Sequence, residues 1–156
     1  MAKRIFRAVC LISLWVFAAS VVIIMWVLYD YYSENQRMQL KRQTEQVAEG
    51  VELCGMEYLT RLSAEDYRIT YIDGDGTVLY DNKSDAAKLE NHKDREEVAQ
   101  AMETGYGESA RFSEILTQRQ IYAAKRLPDG RVIRLSDTRY TVFTLFMSMM
   151  QPILIV

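Results

Sequence analysis

The sequence predicts an α+β protein: a five-stranded antiparallel sheet with a long N-terminal helix, flanked by transmembrane helices. Three observations predict it. Residues 8–29 form one uncharged, strongly apolar run of 22 residues. Residues 31–62 are polar but carry an apolar stripe at helical spacing. From Tyr67 onward the pattern changes to short alternating stretches separated by Gly, Asp and Pro. Strands and helices gathered in this order, without βαβ alternation, point to a mixed antiparallel arrangement.

The first element is a membrane span. The run from Ala8 to Tyr29 matches the roughly 20 helical residues that cross a bilayer core of about 30 Å. It is too long for a signal-peptide core, and no small-residue cleavage site follows it. Lys3, Arg4 and Arg7 precede it. Basic flanks stay in the cytoplasm, so residues 1–7 are expected inside as a tail, 8–29 in the plasma membrane and 30–140 outside. Residues 141–156, TVFTLFMSMMQPILIV, carry no charge and no basic flank. They are expected to be the start of a second transmembrane helix, truncated partway; the alternative is an apolar tail of a finished protein.

Charge bounds what the outer segment does. All 21 acidic residues fall within 30–140; three of the 19 basic residues precede it, leaving 16 against 21, a formal charge of −5. Such a domain suits neither nucleic acid, whose binding rests on neutralising phosphates, nor an anionic membrane surface. Cys10 lies in the membrane run and Cys54 beyond it, so the two do not pair and a disulfide framework is excluded. Cys54 is expected as a buried thiol, or beside its own copy in a dimer.

The polar helix comes next. Leu40, Thr44, Val47, Val51, Cys54, Tyr58 and Leu62 recur at intervals of three and four, a narrow stripe on one helical face. The stripe docks on its own domain or meets the same stripe of a second chain. The polar surroundings of its upper part favour a homodimer contact at Leu40, Thr44 and Val47.

The strands follow. Residues 68–72 and 77–81 read as a hairpin around Asp73-Gly74-Asp75-Gly76, with Gly74 or Gly76 in a left-handed conformation. Residues 82–92 read as loop. Asp94 reads as the N-cap of a short helix, Glu97 completing a capping box, with the helix ending at Gly105. Residues 108–113, 118–127 and 131–136 read as three more strands, the last two joined at Pro128-Asp129-Gly130. Gln120, Tyr122 and Ala124 alternate with Ile121, Ala123 and Leu127, as in a half-buried sheet.

This order, and the residues within it, resemble a known family. Asp73 to Asp81, DGDGTVLYD, resembles the hairpin of the extracytoplasmic domains of phosphate-regulon-type sensor histidine kinases. Asn91-His92 with Arg95 and Glu96, then Ala101 and Gly105-Tyr106-Gly107, resembles the segment that follows it there. Arg111-Phe112-Ser113, Tyr122-Ala123-Ala124, Leu127 and Asp129 to Arg134 continue the likeness in order. It covers about residues 66–140. It implies a PAS-like, Cache-type sensor domain acting as the signal-input region of a two-component receptor. In that family a second membrane helix, a HAMP or PAS module, a phosphoacceptor-histidine helix and an ATP-binding domain follow. The resemblance therefore implies ATP and Mg only for that kinase core, and a response regulator as partner only through it. No cofactor or catalytic residue is expected in the present residues.

Plainer roles account for most of the individual candidates. His92 is the only histidine and is followed by Lys93, so a loop role is expected rather than phosphoacceptance or zinc binding. Asp73, Asp75 and Asp81 lack the twelve-residue spacing of a calcium loop and read as turn residues; no metal site is expected. Arg111, Arg119, Lys125, Arg126 and Arg134 are candidates for an anion pocket, though alternation sends some to each face. Arg111 and Tyr122 are the candidate ligand-binding residues, an Arg–aromatic pair suited to lining a cavity. The reading from sequence is thus a receptor for an unknown extracellular ligand or protein. A membrane-anchored interaction module without enzymatic output is the alternative, and an input domain on a chemoreceptor or cyclase a third possibility.

Overall fold

The computed structural model describes residues 2–62, 67–113 and 118–140. The chain divides into two units, Met1–Gln36 and Arg37–Val156. The expected second membrane helix, residues 141–156, lies outside the described residues.

In the first unit, residues 2–36 all belong to α1, Ala2–Cys54. Its large apolar side chains, among them Phe6, Trp15, Phe17 and Trp26, are exposed. No residue of its most apolar stretch is buried, and the helix is long and apolar enough to cross a membrane. So much bare apolar surface is unfavourable in water, at about 25 cal/mol for each Å².

The second unit is the α+β domain. After α1 come α2 (Met56–Arg61), β1 (Arg68–Ile72), β2 (Val78–Asp81), a 3₁₀ turn (Ala86–Lys88), α3 (Glu96–Thr104), β3 (Tyr106–Ser113), β4 (Gln118–Arg126) and β5 (Val132–Tyr140). The sheet has the order β2-β1-β5-β4-β3, and every neighbouring pair is antiparallel. The last strand is therefore the central one, which is why Val132, Ile133 and Leu135 are wholly buried. The strands lie where the alternation puts them, with β3 two residues longer at its start and β5 four longer at its end.

Because side chains alternate along each strand, the sheet has two unlike faces. On one, Ile69, Tyr71, Ile121, Ala123, Ile133 and Leu135 form the main core with Leu40, Val47, Ala48 and Val51 of α1 and Leu59 of α2. On the other, Ile72, Ala124 and Val132 pack against Val98 and Ala101 of α3. That helix sits hard against β3, because Gly107 leaves room: a Cβ there would lie 2.1 Å from the Glu97 carbonyl oxygen.

One expectation about α1 needs correction, and another meets a buried face. Leu40, Thr44 and Val47, the residues expected at a contact between two chains, are 3, 0 and 2 % exposed, and Leu40 and Val47 belong to the domain's own core. Thr44 is accommodated there because its hydroxyl donates to the Leu40 carbonyl at 2.7 Å, satisfying it within its own helix. Cys54 is exposed rather than buried. The helix breaks at Gly55, whose φ of 65° ends the regular stripe, and Leu59 takes the next core position.

The first hairpin forms as its turn residues predict. The Asp73 carboxylate accepts from Gly74 N–H at 2.9 Å and that of Asp75 from Thr77 N–H at 2.8 Å. Gly76 has φ of 92° and is hemmed in by Asn91 and Lys93. The Gly76 carbonyl also accepts the His92 N–H at 2.8 Å, so this turn anchors the segment that leads into α3.

Candidate functional site

The second face of the sheet is only partly covered by α3. Beside the helix, between the strands and the segment 83–95, a cavity of about 710 Å³ opens to solvent. Its floor is read directly from the strand register. Arg68 lies opposite Ser136, and Ser136 opposite Tyr122. Arg134 lies opposite Ala124 on one side and Thr70 on the other, and Arg111 opposite Gln120. These positions alternate with the main-core residues, so the same periodicity that builds the core delivers polar groups to this face. Lys83, Lys88, Leu89, Glu90, His92 and Arg95 supply the other wall.

Glu97 organises the floor. It sits one turn before Ala101 on the buried side of α3 and has no exposed surface. Its Oε1 accepts from Arg134 Nε at 2.7 Å. Its Oε2 accepts from Arg111 Nη2 at 2.7 Å and from the Ser109 hydroxyl at 2.6 Å. Burial pushes this carboxyl up, but the Ser109 hydrogen bond and the Arg134 charge outweigh it and hold the pKa below the usual value. The two guanidinium groups also lie over the Tyr122 ring, with Cζ to centroid distances of 4.9 Å for Arg111 and 4.4 Å for Arg134. Stacking of this kind holds an arginine while leaving its other N–H groups usable.

A second buried carboxylate orients Arg68. Asp81 accepts from Arg68 Nε at 2.8 Å and from the Thr70 hydroxyl at 2.9 Å, and also from the backbone N–H groups of Lys83 and Ser84. Burial raises its pKa; the Arg68 hydrogen bond and these other donors prevail and lower it. His92 is 6 % exposed. Its Nδ1 lies 2.6 Å from the Glu90 carbonyl; since a carbonyl only accepts, Nδ1 carries the proton. Burial, with the positive charges of Arg134, Arg95 and Arg68 around it, keeps the ring pKa below its ordinary value.

The structure thus brings Arg111 and Tyr122 to one wall of one cavity, together with Arg134. Lys125 does not line it, and Arg126 instead donates to the Met102 carbonyl at 2.9 Å; the Arg119 side chain lies outside the described residues. Sequence reasoning missed Glu97. The expected capping box does not form: Arg95 is the N-cap residue and has no side-chain cap, because the Glu97 carboxylate is drawn to two arginines instead. The signal was present in the spacing of Glu97 with Val98 and Ala101, which sets the acid on the apolar stripe of its helix. Among the described residues, no three His, Cys, Asp or Glu side chains gather as metal ligands. A smaller hollow of about 90 Å³ lies on the opposite face, beside Leu40, Tyr106 and Ile121. No protein-family model matches the chain, and no curated protein is significantly similar to it.

Proposed function

We propose that this chain is the signal-input region of a two-component sensor histidine kinase. In this reading the sheet domain is PAS-like, of the Cache type, and lies outside the plasma membrane. Residues 8–29 cross the bilayer with the N-terminus in the cytoplasm. An extracellular stimulus alters the domain, and a small helix displacement carries the signal inward; shifts of about 1–2 Å between packed helices serve other switches. The kinase core, with its ATP and Mg, would phosphorylate a response regulator; the present residues would contribute only detection. A homodimer belongs to the proposal, with its contact moved off the buried face of α1.

The observation that carries the reading is the cavity on the α3 face, with Arg111 and Tyr122 in its wall. A sheet with one face sealed by a core and the other opened by a polar cavity supports a binding role. The order of hairpin, loop, short helix and three strands, which underlies the resemblance, supports it as well. The test is a fusion of the full 156 residues to a sensor-kinase core. Ser136→Trp, which fills the cavity floor, is expected to shift basal autophosphorylation in membranes. A folded Ser136→Trp receptor with unaltered phosphorylation would reject the reading.

A further inference from the structure

The cavity lining is chemically one-sided. Six lining residues, Arg68, Lys83, Lys88, Arg95, Arg111 and Arg134, are cationic, and Glu90 is the one acid among them. The segment holding them has a formal charge of −5, so the domain concentrates positive charge where overall composition runs the other way. The acids that pair with these cations, Asp81 with Arg68, Asp85 with Lys88 and Glu97 with Arg111 and Arg134, do not line the cavity. A solute entering it meets mainly cationic ends.

The pairing leaves donors in reserve. Glu97 takes only Nε of Arg134 and one terminal nitrogen of Arg111, out of the five N–H groups that each guanidinium carries. The carboxylates and the Tyr122 ring fix the planes of the arginines, and the remaining N–H groups keep the fork geometry that fits a carboxylate or phosphate. Cations come from two parts of the chain: Arg111 and Arg134 from the sheet, Lys88 and Arg95 from the segment 83–95. Arg95 has no ion-pair partner among the described residues. A volume of about 710 Å³ is far larger than a bare inorganic oxyanion needs and falls in the range of small-molecule sites, about 300–1,000 Å³.

We infer that the cavity binds a small organic dianion, its two carboxylate or phosphate groups held between the arginines of the sheet and the basic residues of the segment 83–95. This rests on the reading of the cavity as the sensory site. The test uses the full chain in detergent micelles, with succinate, glycerol 3-phosphate and neutral succinamide as probes in calorimetry and thermal melting. At least one dianion is expected to bind and raise the melting temperature, succinamide to do neither, and added salt to weaken binding. Which dianion binds tells carboxylate from phosphate recognition. Arg111→Gln is expected to weaken binding about tenfold or more, the scale of a lost charge-assisted hydrogen bond. Arg95→Gln, which disturbs no ion pair of the fold, is expected to weaken it similarly, and serves if Arg111→Gln does not fold. Failure of both dianions to bind, equal binding of succinamide, or unchanged affinity in a folded Arg95→Gln protein would overturn the inference. The kinase fusion separates the two readings. A phosphorylation shift in Ser136→Trp without anion binding rejects the dianion alone, whereas anion binding without that shift rejects the input-domain reading alone.

Discussion

At the scale of single residues, Glu97 holds the second face together. It is buried without exposure and bonded to Arg134, itself 5 % exposed. Removing one partner of such a pair strands the other charge, at a cost of about 3–5 kcal/mol. Glu97→Gln is therefore expected to lower stability by about that amount in urea melts; a loss under about 1 kcal/mol would show that Arg134 finds water or another partner. His92 gives a second expectation. Its folded pKa lies below the ordinary 6.5, so between the two values the unfolded chain binds more protons and stability rises with pH. The full contribution is present above pH 6.5 and is lost as pH falls through the lowered value. Asp81 and Glu97, lowered from 3.8 and 4.5, begin to lose theirs only further down, below those values. Urea midpoints should therefore start to fall below pH 6.5, and His92→Gln should remove the part of the decline that precedes the carboxylates. That Arg111 and Tyr122 would share one face of the sheet followed from strand alternation, which is local. Glu97 was not legible, because an acid near a helix start has a sufficient local explanation and its real partners lie 12 and more residues away in sequence.

At the scale of elements, periodicity predicted existence and type and left partnership open. The hairpin at Asp73–Gly76 was legible because Asp and Gly have a mechanism there, and the Gly76 φ of 92° is the left-handed turn it needs. The stripe on α1 was legible as a stripe; whether the chain's own sheet or a second chain covers it is a tertiary fact that spacing leaves open. The break at Gly55, with φ of 65°, shifts the stripe so that Cys54 faces out and Leu59 faces in. Two substitutions test the packing as described. Leu135→Ala empties the middle of the main core and is expected to cost about 2–5 kcal/mol. Gly107→Ala places a methyl 2.1 Å from the Glu97 carbonyl oxygen and 2.8 Å from the Ala101 nitrogen. Both are backbone atoms, so α3 must lift, and a cost of about 1–3 kcal/mol is expected. Wild-type stability in Gly107→Ala would mean that α3 rides higher on β3 than described.

At the scale of the whole molecule, the α+β class followed from the order of patterns, but the strand order did not. Antiparallel pairing can join these five segments in several ways with the same alternation, and only long-range packing selects the one in which β5 is central. Membrane orientation rests on Lys3, Arg4 and Arg7. With Cys10 and Cys54 replaced and a single cysteine placed at Asp85, an impermeant maleimide is expected to label intact cells. Labelling only after lysis would reverse the topology.

The central position of β5 has a consequence for synthesis. Before residue 132 emerges, the chain holds two separate hairpins, β1–β2 and β3–β4, with no strand between them. Glu97 has then met Arg111 but not Arg134, and β1 and β4 each present a bare edge, the kind of surface that invites pairing with other chains. Closure of the sheet, burial of both apolar clusters and completion of the cavity floor thus fall together on the last nine described residues. A chain lacking them keeps both of these inner edges unpaired, an exposure that the arrival of β5 removes in one step.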